Sequence, residues 1–283
     1  MTDQGPLQQW PVRCPHCAEQ LVVDYKDSRL RGLHCPTGHS FDAARQGYVN
    51  LLAGKAVKFT PDSAQMIMAR ERVQDAGIFS TVTAALSDSA AAADPTLIVD
   101  CGAGTGHYLH QLLDAHPTSR GIAVDLSPAG LKRAAKHPRS LALAWDLWQP
   151  LPLAYSSTDL LINVFAPRNP AEYRRVLTPK GRAVVVIPRP GHLHELRGSG
   201  LLGQQADKRE QLIAQMAPHF GEPITIHIAA SSPQVSPELA ADLIFMGPAG
   251  HHRDSAELLR LVEQHPVSTI SVDVELLTWQ NQP

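Results

Sequence analysis

Residues Thr96-Leu-Ile-Val-Asp100-Cys-Gly102-Ala-Gly104-Thr-Gly106-His-Tyr-Leu109 read as a buried strand running into a glycine turn and then a helix. Glycines in such a turn let the backbone approach a ligand seated against the helix N-terminus. A dinucleotide site of the G-x-G-x-x-G kind wants its third glycine at 107, where this chain has His107. The spacing is G-x-G-x-G, and Asp100 just ahead of it suits a cationic ligand better than a pyrophosphate. Gly121-Ile-Ala-Val-Asp125 is a second strand, and it ends in an acid 19 positions beyond Gly106. That offset fits one βα unit, and the carboxylate can accept both hydroxyls of a ribose. Ser140–Trp145 is a third strand, and Asp146 follows it at a place where an acid also serves as a turn residue. Asp159–Val164 is a fourth strand, delivering Asn163, Phe165 and Arg168 to the crevice at the carboxyl end of the sheet. These three are candidates for the acceptor side, although Phe165 reads more readily as core packing.

Farther out, Pro179–Ile187 has the turn-then-strand pattern of a fifth strand. It is followed by a segment rich in histidine and arginine, Arg189-Pro-Gly-His192-Leu-His194-Glu-Leu-Arg197, expected at a ligand or RNA surface. Residues 224–230 and 267–277 are expected to close the sheet as an antiparallel edge. Upstream, Asp62 or Ser63 can cap a helix that carries Met66, Met68, Arg70 and Val73 to Gly77, after a linker at 53–62.

With 283 residues the chain has room for one ordinary domain and a smaller module. Its composition, 43% hydrophobic and 18% charged, excludes disorder and coiled coil. No apolar run is long enough to span a bilayer and no signal sequence opens the chain, so the expectation is a cytoplasmic protein with no membrane partner. The net charge of −2 conceals segregation. Residues 164–210 hold nine basic and four acidic residues, whereas 211–283 hold two basic and eight acidic. The basic stretch reads equally as a solvated face or as an anion-binding one.

Four cysteines are too few for a disulfide scaffold, and three of them cluster. Cys14-Pro-His-Cys17 and, after 17 intervening residues, Cys35-Pro-Thr-Gly-His39 form two short turns separated by the makings of a hairpin. Zinc accepts thiolate and imidazole in a tetrahedron, and a two-residue gap lets one tight turn offer two sulfurs. His16 and His34 are second-choice nitrogen donors. A module of about 40 residues builds little core, so this zinc is expected to be structural. Arg13, Lys26, Arg29, Arg31 and Arg45 give the module a basic surface suited to phosphate.

The glycine loop with Asp100 and Asp125 resembles the seven-strand methyltransferases that use S-adenosylmethionine, where Asp146 would accept from the adenine amino group. The fold expected is therefore α/β, a Rossmann-like methyltransferase domain at 95–283 preceded by a zinc-binding RNA-recognition module at 1–52 and a linker and helical segment at 53–94. The joined pattern C-P-x-C, C-P-x-x-H-x-F-D-x-A-x-x-G-Y-x-N-L-L and P-G-H-L-x-E-L-R is more specific. It resembles the RlmA and TlrB type of 23S rRNA (guanine-N1)-methyltransferase over almost the whole chain.

That resemblance implies Cys14, Cys17, Cys35 and His39 as zinc ligands. It places cofactor contacts on Gly104 and Thr105, with Asp100, Gly102 and Gly106 beside them, and on Phe79 and His192. Position 79 is Phe where relatives have Tyr, which removes a hydroxyl. The catalytic base is left open, with Asn163, Arg168 and His192 as candidates near the acceptor. The implied substrate is one of two neighbouring guanines in a domain II hairpin of 23S rRNA, one of them linked to resistance to tylosin-type macrolides, and the implied assembly is a homodimer. Two other readings compete: a small-molecule methyltransferase of the same fold, and a non-catalytic zinc-containing RNA-binding scaffold.

Overall fold

Apolar runs too short for helices and bounded by glycine or acidic residues become the strands of one central sheet in a computed structural model, which describes residues 9–27, 29–52, 60–198, 200–203 and 207–282. Most of the expected linker at 53–62 lies outside the described residues, as does Ser28 in the turn between the first two strands. At the N-terminus, β1 (Val22–Lys26), β2 (Arg29–His34) and β3 (Ser40–Asp42) form a small antiparallel sheet. The chain then contributes β4 (Val49–Asn50), α1 (Ala64–Asp75) and α2 (Ser80–Ala91). The βα alternation follows: β5 (Leu97–Cys101), α3 (His107–Ala115), β6 (Arg120–Asp125), α4 (Pro128–Ala134), β7 (Ser140–Ala144), β8 (Thr158–Val164), α5 (Pro170–Val176) and β9 (Leu177–Pro188). The last part holds α6 (His194–Gly198), α7 (Arg209–Phe220), β10 (Thr225–Ser231), α8 (Pro237–Phe245), α9 (Ser255–Gln264) and β11 (Val272–Gln280).

The central sheet runs β10-β11-β9-β8-β5-β6-β7-β4. The strands from β9 to β4 pair in parallel, and β11 and β10 close the far edge antiparallel. Seven of these strands are the ones expected. The eighth is an addition to those seven: β4 belongs to the N-terminal region and adds to the free edge of β7, with Val49 opposite Leu143 and Asn50 opposite Ala144. An unpaired edge strand has donors and acceptors to satisfy, and β4 supplies them. The N-terminal segment is tied on again where Arg13 N donates to Pro152 O at 2.9 Å and Ala154 N to Pro11 O at 2.8 Å. Trp10, Val12, Leu21, Leu33 and Phe41 share one apolar cluster with Leu143, Leu151 and Leu153.

Residues 60–91 pack on the other face. Ser63 caps α1, its Oγ accepting from Met66 N at 3.2 Å, and Met66, Ala69 and Val73 enter the second core cluster together with Val82, Leu86 and Ala90 of α2. The linear charge segregation does not survive folding. β11 runs beside β9, so acids of the last segment come to lie against bases of the preceding one. Arg189 pairs with Asp273 at 2.6 Å, Arg209 pairs with the buried Glu275, and Arg175 pairs with its own neighbour Glu172 at 2.6 Å. The 164–210 stretch is therefore partly neutralised in place and is not a continuous basic face. No helix among the described residues is long and apolar enough to cross a membrane.

Candidate active site and metal centre

The glycine turn leaves the carboxyl end of β5 and starts α3, with φ of +91° at Gly102, +53° at Gly104 and +79° at Gly106. Gly102 is required twice over. Its φ lies in the left-handed region, and a Cβ there would sit 2.2 Å from the Cβ of Ala166 in the turn after β8. The two turns are thus pressed together, which sets Phe165 beside the glycine loop. Gly102→Ala is expected to cost about 2 to 5 kcal/mol from overpacking and left-handed strain combined. A fall in melting temperature together with weaker cofactor binding checks this, and an unchanged melting curve contradicts it.

Two carboxylates flank the turn and are held differently. Asp100 is 1% exposed, and its Oδ2 has no hydrogen-bond partner. Burial, with a further contribution from the Asp125 charge, pushes this carboxyl up to about 8. An orphaned buried acid beside an open glycine turn is suited to a cationic donor from a ligand. Asp125, at the end of β6, accepts from Gly104 N through Oδ2 at 2.8 Å and from Ser127 N through Oδ1 at 2.7 Å. Burial raises its pKa against the pull of these two N–H groups. Each oxygen keeps a lone pair for a diol.

Phe79, Phe165 and His192 form a continuous aromatic wall. Their ring centroids lie 6.3 Å (79 to 165), 6.2 Å (79 to 192) and 5.6 Å (165 to 192) apart. Phe165 is not core packing: it is 42% exposed and holds φ of +55°, a strained conformation for a bulky residue that clusters at functional sites. His192 is buried, and Asp273 N donates to its Nδ1 at 3.3 Å, so the ring proton resides on Nε2. Burial, reinforced by the Arg197 charge, lowers its pKa to about 4.

The remaining candidates are each engaged within the protein. Asn163 is fully buried, its amide donating to Cys101 O, Pro167 O and Tyr173 Oη at 2.9, 2.9 and 3.1 Å. It ties β5 to the turn after β8. Arg168 reaches Gln215 of α7, with Nε to Oε1 at 3.4 Å. Asp146 accepts from Trp148 N at 3.0 Å, an Asx turn that leaves its Oδ2 available. Thr105 is buried because α1 covers it, its hydroxyl donating to Gln74 Oε1 at 2.8 Å. Neither Gln74 nor Arg70, whose guanidinium lies over Gly104, was marked by any motif; their i,i+4 placement on one helix face is the signal that sequence carries.

At the other end of the chain, Cys14, Cys17, Cys35 and His39 bring their ligand atoms within 4.8 Å of one another. A tetrahedron with Zn–S bonds of about 2.3 Å has S···S edges of about 3.8 Å. Cys17 Sγ lies 3.7 Å from Cys35 Sγ, and His39 Nδ1 lies 3.3 Å from Cys35 Sγ. The donor set and spacing fit zinc closed by four protein ligands. Neither second-choice histidine joins this cluster: His16 stacks on Phe41 with its ring tilted against His39, and His34 lies exposed on β2. Near this centre a groove of about 470 Å³ is lined by Arg29, Arg31 and Arg45 together with Asp24 and Asp42.

A family model described as the N-terminal zinc ribbon of RlmA matches residues 12–56. The 23S rRNA (guanine(748)-N(1))-methyltransferase of Streptomyces fradiae is 38% identical over 261 residues, 90% of this chain and 91% of the relative. A Micromonospora griseorubida protein of the same named class is 41% identical over 289 residues, 95% of this chain and 97% of the relative. By contrast, a malonyl-[acyl-carrier protein] O-methyltransferase of Hahella chejuensis, 36% identical, covers 32% of this chain. The likeness to the rRNA enzymes thus includes the zinc module as well as the glycine turn.

Proposed function

The chain belongs to the 23S rRNA (guanine-N1)-methyltransferases, enzymes that take their methyl group from S-adenosylmethionine, and we propose that its acceptor is guanine 748, stacked on Phe165 at the mouth of the glycine turn. The position is the one in the name of the Streptomyces fradiae relative, to which the likeness extends over nearly the full length. The observation that carries the stacking site is Phe165 itself, half exposed and held in a left-handed turn against Gly102.

When bound, S-adenosylmethionine supplies an electrophilic methyl group on a sulfonium. Asp125 accepts the ribose hydroxyls, Asp100 faces the ammonium, and Asp146 Oδ2 accepts from the adenine amino group. The backbone of Gly102, Gly104, Thr105 and Gly106 forms the floor, and Phe79 and His192 form the side wall. Guanine N1 lies on the Watson–Crick edge, so the base must be unpaired or extruded to reach this cleft. Stacking on one aromatic is worth about 1 to 3 kcal/mol per base, enough to hold the guanine in line with the methyl group. His192 is not the base that takes the N1 proton, since Nδ1 is engaged and Nε2 already carries hydrogen. Its Nε2–H would donate instead to O6, where negative charge gathers as the N1 proton passes to solvent water and the methyl group leaves sulfur for N1. Residues 1–52 act as the RNA-recognition module, with Arg29, Arg31 and Arg45 contacting phosphates beside the stem.

Cofactor binding should depend on pH with a definite sign. The Asp100 carboxyl, raised to about 8, holds a proton at neutral pH in the free protein, and pairing with an ammonium requires its release. Affinity is therefore expected to rise about tenfold per unit between pH 6 and 7.5. The stability of the free protein runs the other way. A carboxyl whose folded pKa exceeds its unfolded one stabilises the fold most at low pH, and that contribution is lost as pH rises through 8. Asp100→Asn should flatten both trends, as calorimetry and melting curves at several pH values would show.

The function is tested by incubating the zinc-loaded protein with labelled S-adenosylmethionine and unmodified 23S rRNA, then digesting to nucleosides. Label in 1-methylguanosine is expected, and label in any other nucleoside contradicts the reading. Phe165→Ala should raise the KM for RNA about tenfold or more while S-adenosylhomocysteine affinity stays within about twofold.

A further inference from the structure

We infer that Arg70 of α1 receives the α-carboxylate of the cofactor's methionine end and so sets the selectivity of the site for a ligand with an intact amino-acid group. This rests on the cofactor being S-adenosylmethionine, whose amino-acid end carries an ammonium and a carboxylate. Asp100 faces the first, and its charge, with that of Asp125 nearby, repels the second. A cation must offset them.

Arg70 is placed for that task. Its Nη1 lies 3.1 Å from where a Cβ on Gly104 would be, so the absence of a side chain at 104 makes room for the guanidinium over the turn. The other end of the fork is anchored: Nη2 donates to Met246 O at 2.7 Å and pairs with Asp62 Oδ2 at 2.6 Å. Asp62 is itself fixed, with His251 Nε2 at 3.5 Å from Oδ1 and its backbone oxygen accepting from Ser127 Oγ at 3.0 Å. Two separate segments, at Asp62 and Met246, thus hold one nitrogen of the guanidinium and leave the other facing the glycine turn. The Arg70 charge also reaches Asp125 and Tyr108, which places it in the electrostatic field of the same cleft.

The neighbouring arginines are committed differently. Arg72 donates to both oxygens of Asp242 at 2.6 Å, and Arg133 is held by Glu71 at 2.9 Å and by Ala129 O. A planar fork fixed at one end loses little freedom when the other end takes a carboxylate, which a lysine could not reproduce.

Calorimetry with S-adenosylhomocysteine and its decarboxylated analogue tests the assignment without turnover. The wild-type protein is expected to bind S-adenosylhomocysteine about 10- to 100-fold more tightly than the analogue, the range of one charge-assisted interaction. Arg70→Gln should reduce that ratio to within about threefold while leaving the analogue's own affinity unchanged. Arg70→Lys should retain a reduced ratio, and it carries the test if the glutamine variant does not fold. An undiminished ratio in both variants, or no preference in the wild type, overturns the role of Arg70 and leaves the methyltransferase reading intact. No binding of S-adenosylhomocysteine by the wild type overturns both.

Discussion

Stripping the zinc with a chelator, or replacing Cys14 and Cys17 together by serine, is expected to unfold residues 10–52 and to lower the melting temperature of the whole chain. The first part follows from size. Three short strands bury little apolar surface, and a structural zinc site contributes about 10 to 16 kcal/mol of apparent binding energy that the module cannot replace. The second part follows from how the module is attached. β4 extends the central sheet at β7, and Trp10, Val12 and Phe41 share a cluster with the strand core, so unfolding exposes an unpaired sheet edge and apolar surface of the catalytic domain. Hydrogen exchange should show lost protection in β2 and β3 and also at the edge of β7. Loss confined to the module, with an unchanged melting curve for the remainder, would mean that the two parts are independent.

Asp125→Ala should weaken S-adenosylhomocysteine binding by about 100-fold or more, on the scale of lost hydrogen bonds to a charged group. The carboxylate does two things at once. It accepts from Gly104 N and Ser127 N through different oxygens, which shapes the turn, and it presents the remaining lone pairs to the ribose. Asp125→Asn keeps the size but has one acceptor oxygen, so it can satisfy only one of the two N–H groups. It should therefore recover little of the affinity, in contrast to a site where charge is incidental. Calorimetry on both variants decides this, and an asparagine variant within about threefold of wild type would show that the turn does not depend on the carboxylate.

The parts of the site that could be read in the sequence are those where one residue type is the only physical solution. Alternating glycines with positive φ, an acid at each of two strand ends and a thiolate–imidazole pattern of fixed spacing are of this kind. What could not be read depends on tertiary neighbours. The excess of bases at 164–210 reads equally as a solvated or an anion-binding face, yet antiparallel pairing of β11 with β9 returns Asp273 to Arg189, and Arg209 of α7 reaches Glu275 on the same strand, a cancellation invisible to linear counting. Phe165 has the hydrophobicity of a core residue, and only its left-handed backbone turns it outward. Asn163, conversely, has the chemistry of an acceptor-side group, yet its amide nitrogen is taken up by backbone oxygens and its Oδ1 is buried without a partner. Arg70 and Gln74 belong to no motif because their role depends on where α1 lands over the turn.

Primer extension on unmodified 23S rRNA treated with the zinc-loaded protein and S-adenosylmethionine tests the central claim most directly. Methylation at N1 blocks base pairing and halts reverse transcriptase, so the method reports activity and position together. A single new stop, dependent on S-adenosylmethionine and marking guanine 748, is the expected result. A protein that binds the cofactor and yet produces no stop in the domain II hairpin would contradict the assignment of this cleft to rRNA guanine N1.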